Sequence, residues 1–214
     1  MSQIFLVRHG ETLWNSEGKI QGHLDSPLTE TGLAQAESLA VYFKSQKQNF
    51  AALYTSDLGR AYETARCISE KNGLPVFADP RLRERNFGIF QGALKKTLAI
   101  QFPEASRYFH AHDPDYVIPE GESLKQLSER CVKCFEELAQ KHVGERILVV
   151  AHSGVFVSLF KHTLGIPLDA PRRFLSLNTS INIFSYQDGI WMLEVWGDLS
   201  HLRCVQSIDD DSAE

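Results

Sequence analysis

No apolar run in this 214-residue chain approaches the roughly 20 residues needed to cross a bilayer, so no membrane-spanning helix is expected. Residue 1 leads at once into a strand-like run, without the charged and apolar segments of a secretory leader. Basic residues are not in excess: 22 Lys and Arg face 27 Asp and Glu, a net charge of −5, which argues against a nucleic-acid-binding surface. Four of the negatives lie in residues 209–214, so the rest of the chain carries only −1, and a solvated, disordered acidic tail is expected there. Cysteine is scarce as well: Cys67, Cys131, Cys134 and Cys204. Cys131 and Cys134 spell C-x-x-C, but in mid-helix, where no helix N-terminus favours a thiolate. Helix-face packing is the better reading than redox chemistry, and a reducing, cytoplasmic setting is expected. No internal repeat is present.

What is present is an alternation of strands and helices. Residues 3–8 read as a buried strand, and Leu33, Ala36, Leu39, Ala40 and Phe43 follow at helical spacing behind Thr29 or Thr31 as cap. A short strand at 52–54 runs into a helix over 57–71 that ends near Gly73, and 75–78 is a third strand candidate. Residues 94–111 read as a helix interrupted by Pro103. Ser123-Leu124-Lys125-Gln126 is a capping box opening an amphipathic helix, followed by a strand at 146–151, a helix over 154–164 and late strands at 181–186 and 190–196. The pattern predicts an α/β fold: a three-layer, open, mostly parallel sheet with helices on both faces. Residues 1–208 form one catalytic domain in this reading, with about 85–122 as a small helical cap insertion. The late strands are candidates for pairing two copies into a homodimer.

Ligands of such sheets bind beyond the carboxyl ends of the strands. Two histidines fall at such ends: His9 after Ile4-Phe5-Leu6-Val7-Arg8, and His152 after Ile147-Leu148-Val149-Val150-Ala151. Arg8 adjoins His9, and Arg60 lies near the start of the helix after the second strand, so two guanidinium forks are available for a phosphate. The amide of Asn15 and N–H groups near Gly10, Gly22 and Ser153 add donors. Neighbouring arginines favour a neutral, nucleophilic His9, whereas His152 is expected to stay protonated and stabilise charge on the phosphoryl oxygens. Glu84 is the candidate proton donor to the leaving alkoxide and then base towards water; its place between Arg83 and Arg85 also suits a plain surface ion pair. His23, beside Gly22, suits a pocket edge and solvent equally. His110 and His112, at i, i+2, do not share a helix face as a metal pair would. Arg107 and Lys95-Lys96 are candidates for substrate selection in the cap, and Arg172-Arg173 for a substrate carboxylate.

These residues carry a resemblance. Leu6-Val7-Arg8-His9-Gly10-Glu11-Thr12 with Trp14-Asn15, Gln21-Gly22, Asp25-Ser26-Pro27-Leu28-Thr29-Glu30-Thr31-Gly32, Ser56-Asp57-Leu58-Gly59-Arg60-Ala61 with Thr64-Ala65, Glu84 with Phe87-Gly88 and Gln91-Gly92, and Ala151-His152-Ser153-Gly154 stand in the order found in the histidine phosphatase superfamily, which includes the cofactor-dependent phosphoglycerate mutases. The resemblance implies that His9 is phosphorylated, that Arg8, Arg60 and His152 hold the phosphate, and that Glu84 donates the proton. Asn15, Gln21, Gly22 and Ser153 would line the pocket, and neither metal nor cofactor would be needed.

Three departures from the mutase pattern favour hydrolysis. Only 67 residues separate Glu84 from His152, with no adjacent arginine pair among them; Phe87 stands where mutases usually have tyrosine; and Ser153-Gly154 replaces glycine followed by asparagine. The expected function is therefore a metal-independent phosphomonoesterase acting on a small phosphorylated metabolite. The alternative is a mutase moving phosphate between hydroxyls; a phosphate-recognising module without turnover and a metallohydrolase rank lower.

Overall fold

Successive residues of a strand face opposite ways, and the strand Ser2–Arg8 (β1) is apolar on both sides: Ile4 and Leu6 enter one core, Phe5 and Val7 another. Such a strand belongs inside a sheet covered on both faces. In the computed structural model, which describes residues 1–202 and 207, β1 lies beside Arg146–Ala151 (β4). That strand pairs with Ala52–Thr55 (β2), and β2 with Val76–Ala78 (β3); all three pairings are parallel. On its other side β1 runs antiparallel to Ile181–Gln187 (β5), which turns back into Ile190–Asp198 (β6). The sheet is therefore mixed, in the order β3-β2-β4-β1-β5-β6. The return is made by Asp188-Gly189, both at positive φ (53° and 83°), the pair a tight hairpin demands. The acidic tail and Cys204 lie outside the described residues.

Two helices cover each face. Leu39, Ala40 and Phe43 of α2 (Glu30–Ser45) and Ala61, Ala65 and Ile68 of α3 (Gly59–Asn72) pack on Phe5, Val7, Leu53, Leu148 and Val150. On the opposite face, α6 (Leu124–Lys141) and α7 (Ser153–Leu164) pack on Ile4, Leu6, Ile147 and Val149. Thr29 rather than Thr31 caps α2, accepting from the Gly32 N–H at 2.9 Å, and the Ser123–Gln126 capping box opens α6. Cys131 and Cys134 are buried in the α6 seam with free thiols. Burial pushes the Cys134 thiol up to about 12 and raises that of Cys131 as well, so neither is a nucleophile at neutral pH.

Residues 94–111 form three pieces: a 3-10 turn at Lys95–Thr97, then α4 (Leu98–Gln101) and α5 (Pro103–His110). Pro103 opens α5 rather than kinking a longer helix; in a first turn its missing N–H costs nothing. Ile20, Phe90, Leu98, Phe109 and Ile118 make a third, separate apolar cluster. This segment is pinned to the N-terminal loop by backbone bonds from Ile20 N to Ala93 O (3.0 Å), Gly92 N to Ile20 O (2.8 Å) and Lys95 N to Gly18 O (3.0 Å). One helix was not expected: α1 (Leu13–Glu17), five residues with a Thr12–Asn15 capping box and too short to show a period.

Candidate active site

Because β1 and β4 run in parallel with Arg8 opposite Ala151, the next residues of each, His9 and His152, emerge at the same edge of the sheet. Their ring centroids lie 5.2 Å apart, with exposures of 3% and 0%. The His9 backbone is held from two sides: its N–H donates to Ala151 O (3.1 Å) and its carbonyl accepts from Asn178 Nδ2 (2.9 Å). Its Nδ1 is 2.8 Å from the Gly10 carbonyl oxygen. A carbonyl only accepts, so Nδ1 bears the proton, and in the neutral ring Nε2 keeps the lone pair. That is the tautomer a nucleophile needs.

Arg8 is buried beside it and donates through Nη1 to the Ser176 carbonyl. Arg60, in the first turn of α3, is locked by Nη1 to Leu24 O (3.0 Å) and Asp25 Oδ1 (2.9 Å) and by Nη2 to Gly22 O (2.8 Å). Its buried Nε and both ring nitrogens of His152 find no acceptor or donor among the described residues. Buried polar groups left in this way mark a place built for the oxygens of a ligand. Arg8, His9, Asn15, Gln21, Gly22 and Arg60 share the wall of a cavity of about 40 Å³, with His152 flanking His9 behind it.

Two expectations change in detail. Burial first, then Arg60, His9 and Arg8, hold His152 well below its usual pKa, which favours the neutral ring rather than the protonated one expected. Gln21 reaches the cavity wall, but its amide braces the loop, donating to Thr12 Oγ1 (2.8 Å) and accepting from Ser26 Oγ (3.2 Å).

Glu84 sits at the start of α7. One carboxylate oxygen accepts from the Arg85 N–H (2.7 Å) and the other from the Gly154 N–H (3.1 Å). Arg83 turns to Asp57 (2.7 Å). The Glu84 carbonyl accepts from His23 Nε2 (2.9 Å), which makes His23 a half-buried brace of the Glu84 backbone, with a pKa lowered chiefly by burial. Glu84 and Phe87 also face a second cavity of about 380 Å³ whose wall includes Ser153, Phe109, His112, Arg172 and Arg173. Arg172 Nη1 donates to Ser153 Oγ at 3.3 Å. Arg107 lies elsewhere, exposed and against the Tyr108 ring. Among the described residues, no three His, Cys, Asp or Glu side chains gather as metal ligands, and no helix is long and apolar enough to cross a membrane.

The pattern of the histidine phosphatase superfamily (branch 1) matches residues 4–199. The chain belongs to this superfamily. It is 44% identical over 205 residues to phosphoglycerate mutase-like protein 4 of Arabidopsis thaliana, covering 94% of this chain and 87% of that one. It is 39% identical over 207 residues to a metal-independent phosphoserine phosphatase of the same plant, covering 96% and 85%. The solved structure of Bacillus stearothermophilus YhfR shares the fold with a TM-score of 0.85 at 33% identity, covering 94% of this chain and 99% of that one.

As a histidine phosphatase superfamily member, the chain also carries site features that its sequence did not announce. Lys19 joins the small cavity, brought there with Lys95 by a bridge between Lys19 and Leu94. The run Ser176-Leu177-Asn178-Thr179, buried except at Leu177, underpins Arg8 and His9: Ser176 O accepts from Arg8, Asn178 donates to the His9 carbonyl, and Thr179 N–H donates to Arg8 O (3.0 Å). Thr179 holds φ 54°, a costly conformation for a β-branched residue, retained where the backbone must meet Arg8. Arg130 of α6 gathers the carbonyls of Arg81 (2.7 Å), Arg83 (2.8 Å) and Glu84 (3.2 Å). A long-range contact to a carbonyl has no sequence signature; the polar Ser-x-Asn-Thr-Ser run before an apolar strand was the one available hint.

Proposed function

We propose that the protein is a phosphomonoesterase that passes the phosphoryl group of a small phosphorylated metabolite to Nε2 of His9 and then to water. The observation that carries this reading is the Nδ1–Gly10 carbonyl bond, which leaves the Nε2 lone pair of a buried imidazole between Arg8, Arg60 and His152. In the first step Nε2 bonds to phosphorus as the P–O bond to the alcohol breaks. Arg8, Arg60 and His152 stabilise the three non-bridging oxygens, where charge accumulates, with Asn15 and Gly22 in the same wall and Ser153 in the wall of the larger cavity beside it. Glu84 gives its proton to the departing alkoxide. In the second step Glu84, now ionised, takes a proton from water as the water oxygen attacks phosphorus and the N–P bond breaks. Orthophosphate leaves and His9 is restored. Guanidinium groups supply the positive charge that a metal supplies in other phosphatases. The name of the metal-independent phosphoserine phosphatase supports hydrolysis. The name of phosphoglycerate mutase-like protein 4 favours a second reading, in which a substrate hydroxyl replaces water.

The test is a quench of the enzyme with phosphorus-labelled ester. An acid-labile, alkali-stable label on the wild type but not on His9→Ala, with free phosphate released at the same rate in excess chelator, is the expected result. Label that survives acid, or turnover lost to chelator, removes the mechanism; isomerised ester in place of phosphate establishes the mutase.

A further inference from the structure

The phosphoryl cavity shares Glu84 and Phe87 with the wall of a second cavity several times its size, and the chemistry of that second wall is distinct. Its volume of about 380 Å³ equals that of about thirteen liquid waters at ~30 Å³ each, and falls in the range that buries drug-sized ligands. A three-carbon acid such as a serine or glycerate unit fills only part of it. Phe87 and Phe109 from the cap segment, Leu124 and Leu127 from α6, and Val157 and Phe174 from α7 and its following loop make the wall mostly apolar.

Among the described residues, this apolar wall carries four cationic side chains, Arg85, Lys161, Arg172 and Arg173, and one carboxylate, Glu84. Arg85 is 4% exposed and lies 5.7 Å from both the Phe87 and Phe109 ring centroids, with its Nε on the Glu122 carbonyl (3.0 Å). Lys161 Nζ donates to the carbonyls of Leu168 (2.7 Å) and Ala170 (2.5 Å), strapping the loop that carries Arg172 and Arg173 to α7. His112 reports the local field: burial, then Lys161, His110 and Arg85, lower its pKa. Because Glu84 borders both cavities, a phosphate held at His9 and a leaving group in the larger chamber place the bridging oxygen beside the proton donor.

We infer that the larger chamber is the leaving-group site, and that it selects a phosphomonoester whose alcohol is bulky and largely apolar and carries a carboxylate or second anionic group, bound by Arg85 and Arg172. This rests on the phosphatase reading. It separates this protein from enzymes whose whole substrate is a three-carbon phosphate.

Four primary-alkyl phosphates of closely matched leaving-group basicity test it: ethyl phosphate, phosphoserine, 2-phenylethyl phosphate and 2-(4-carboxyphenyl)ethyl phosphate. The expected kcat/KM for the carboxyphenyl ester is at least tenfold above the phenyl ester and a hundredfold above ethyl phosphate and phosphoserine. Arg172→Gln lowers the carboxyphenyl-to-phenyl ratio towards one, and Val157→Trp, which fills the chamber, lowers the phenyl-to-ethyl ratio. Equal kcat/KM across the panel, preference for phosphoserine, or ratios unmoved in both variants overturns the inference. A folded wild type that releases phosphate from none of the four refutes the phosphatase reading instead.

Discussion

Gly154 shows how one residue's missing side chain positions another's. A Cβ at this position stands 2.2 Å from Glu84 Oε1 and 3.0 Å from Leu127 Cδ2. The obstructing atom is the end of a glutamate side chain, which can rotate away, so Gly154→Ala leaves the fold intact and evicts the carboxylate from the Gly154 N–H. The consequence is specific to proton donation. General acid catalysis contributes roughly 10²–10⁴-fold when the leaving group is basic, and almost nothing when it is a nitrophenolate. Gly154→Ala therefore lowers kcat about a hundredfold on an alkyl phosphate and by less than about tenfold on 4-nitrophenyl phosphate. Equal losses on the two esters would show that Glu84 does not act as the acid. A backbone group acts in the same way at His9, whose Nδ1 proton is held by the neighbouring Gly10 carbonyl.

At the scale of elements, the segment from Pro80 to Asn86 has no helix or strand beyond the one 3-10 turn Pro80–Leu82 to hold it. α6 does so through Arg130, which takes three carbonyls of that segment and pairs with Glu122 at 2.5 Å. Removing a half-hidden guanidinium strands a carboxylate and three acceptors together, so Arg130→Met costs about 3 kcal/mol of stability. It also loosens Glu84, so kcat on alkyl phosphates falls further than the change in folded fraction explains. Urea denaturation with parallel kinetics checks both; a stability loss with unaltered kcat in the folded fraction denies Arg130 its positioning role.

The amphipathic seam of α6 and its capping box were legible in the sequence because period and cap are local. So were His9, His152 and Arg60, since each follows an apolar strand whose C-terminal end is the place for a ligand. Arg130 was not legible, because its partners lie about fifty residues away and are backbone atoms. The antiparallel β5 was also hidden, because an apolar run does not encode its direction; the Asp188-Gly189 turn constrains only its pairing with β6. The large chamber required three-dimensional placement of a cap segment, α7 and a loop; Glu84, Ser153 and the arginines 172 and 173 had been named in advance, but not as parts of one chamber.

Over the whole molecule, the same burial that builds the site makes the fold sensitive to acid. Burial lowers the pKa of His23, His112, His152 and His201, the last to about 4. For each, the folded pKa lies below the unfolded value near 6.5, so below that pH the unfolded chain takes up protons that the folded one refuses. Stability is fully present above about pH 7 and declines as pH falls towards the folded values, by up to about 1.4 kcal/mol per pH unit for each histidine. For Asp57, with Arg83 as the largest cause, and Glu63, with Arg66, the folded pKa is lowered by these arginine partners, which extends the decline below pH 4. One component is reversible by ligand. A dianion between Arg8, Arg60 and His152 cancels the positive field that, with burial, keeps His152 neutral, and lets the ring accept its proton in the folded state. Sulfate stays dianionic across this range, so it tests the idea without its own titration. It is expected to raise the urea midpoint more at pH 5.5 than at pH 7.5, and His152→Asn is expected to remove that difference while retaining a smaller, pH-independent gain from the arginines. An equal gain at both pH values in the wild type would mean that His152 does not take up a proton with the anion, and its part in stabilising the phosphoryl oxygens would then be that of a neutral hydrogen-bond donor.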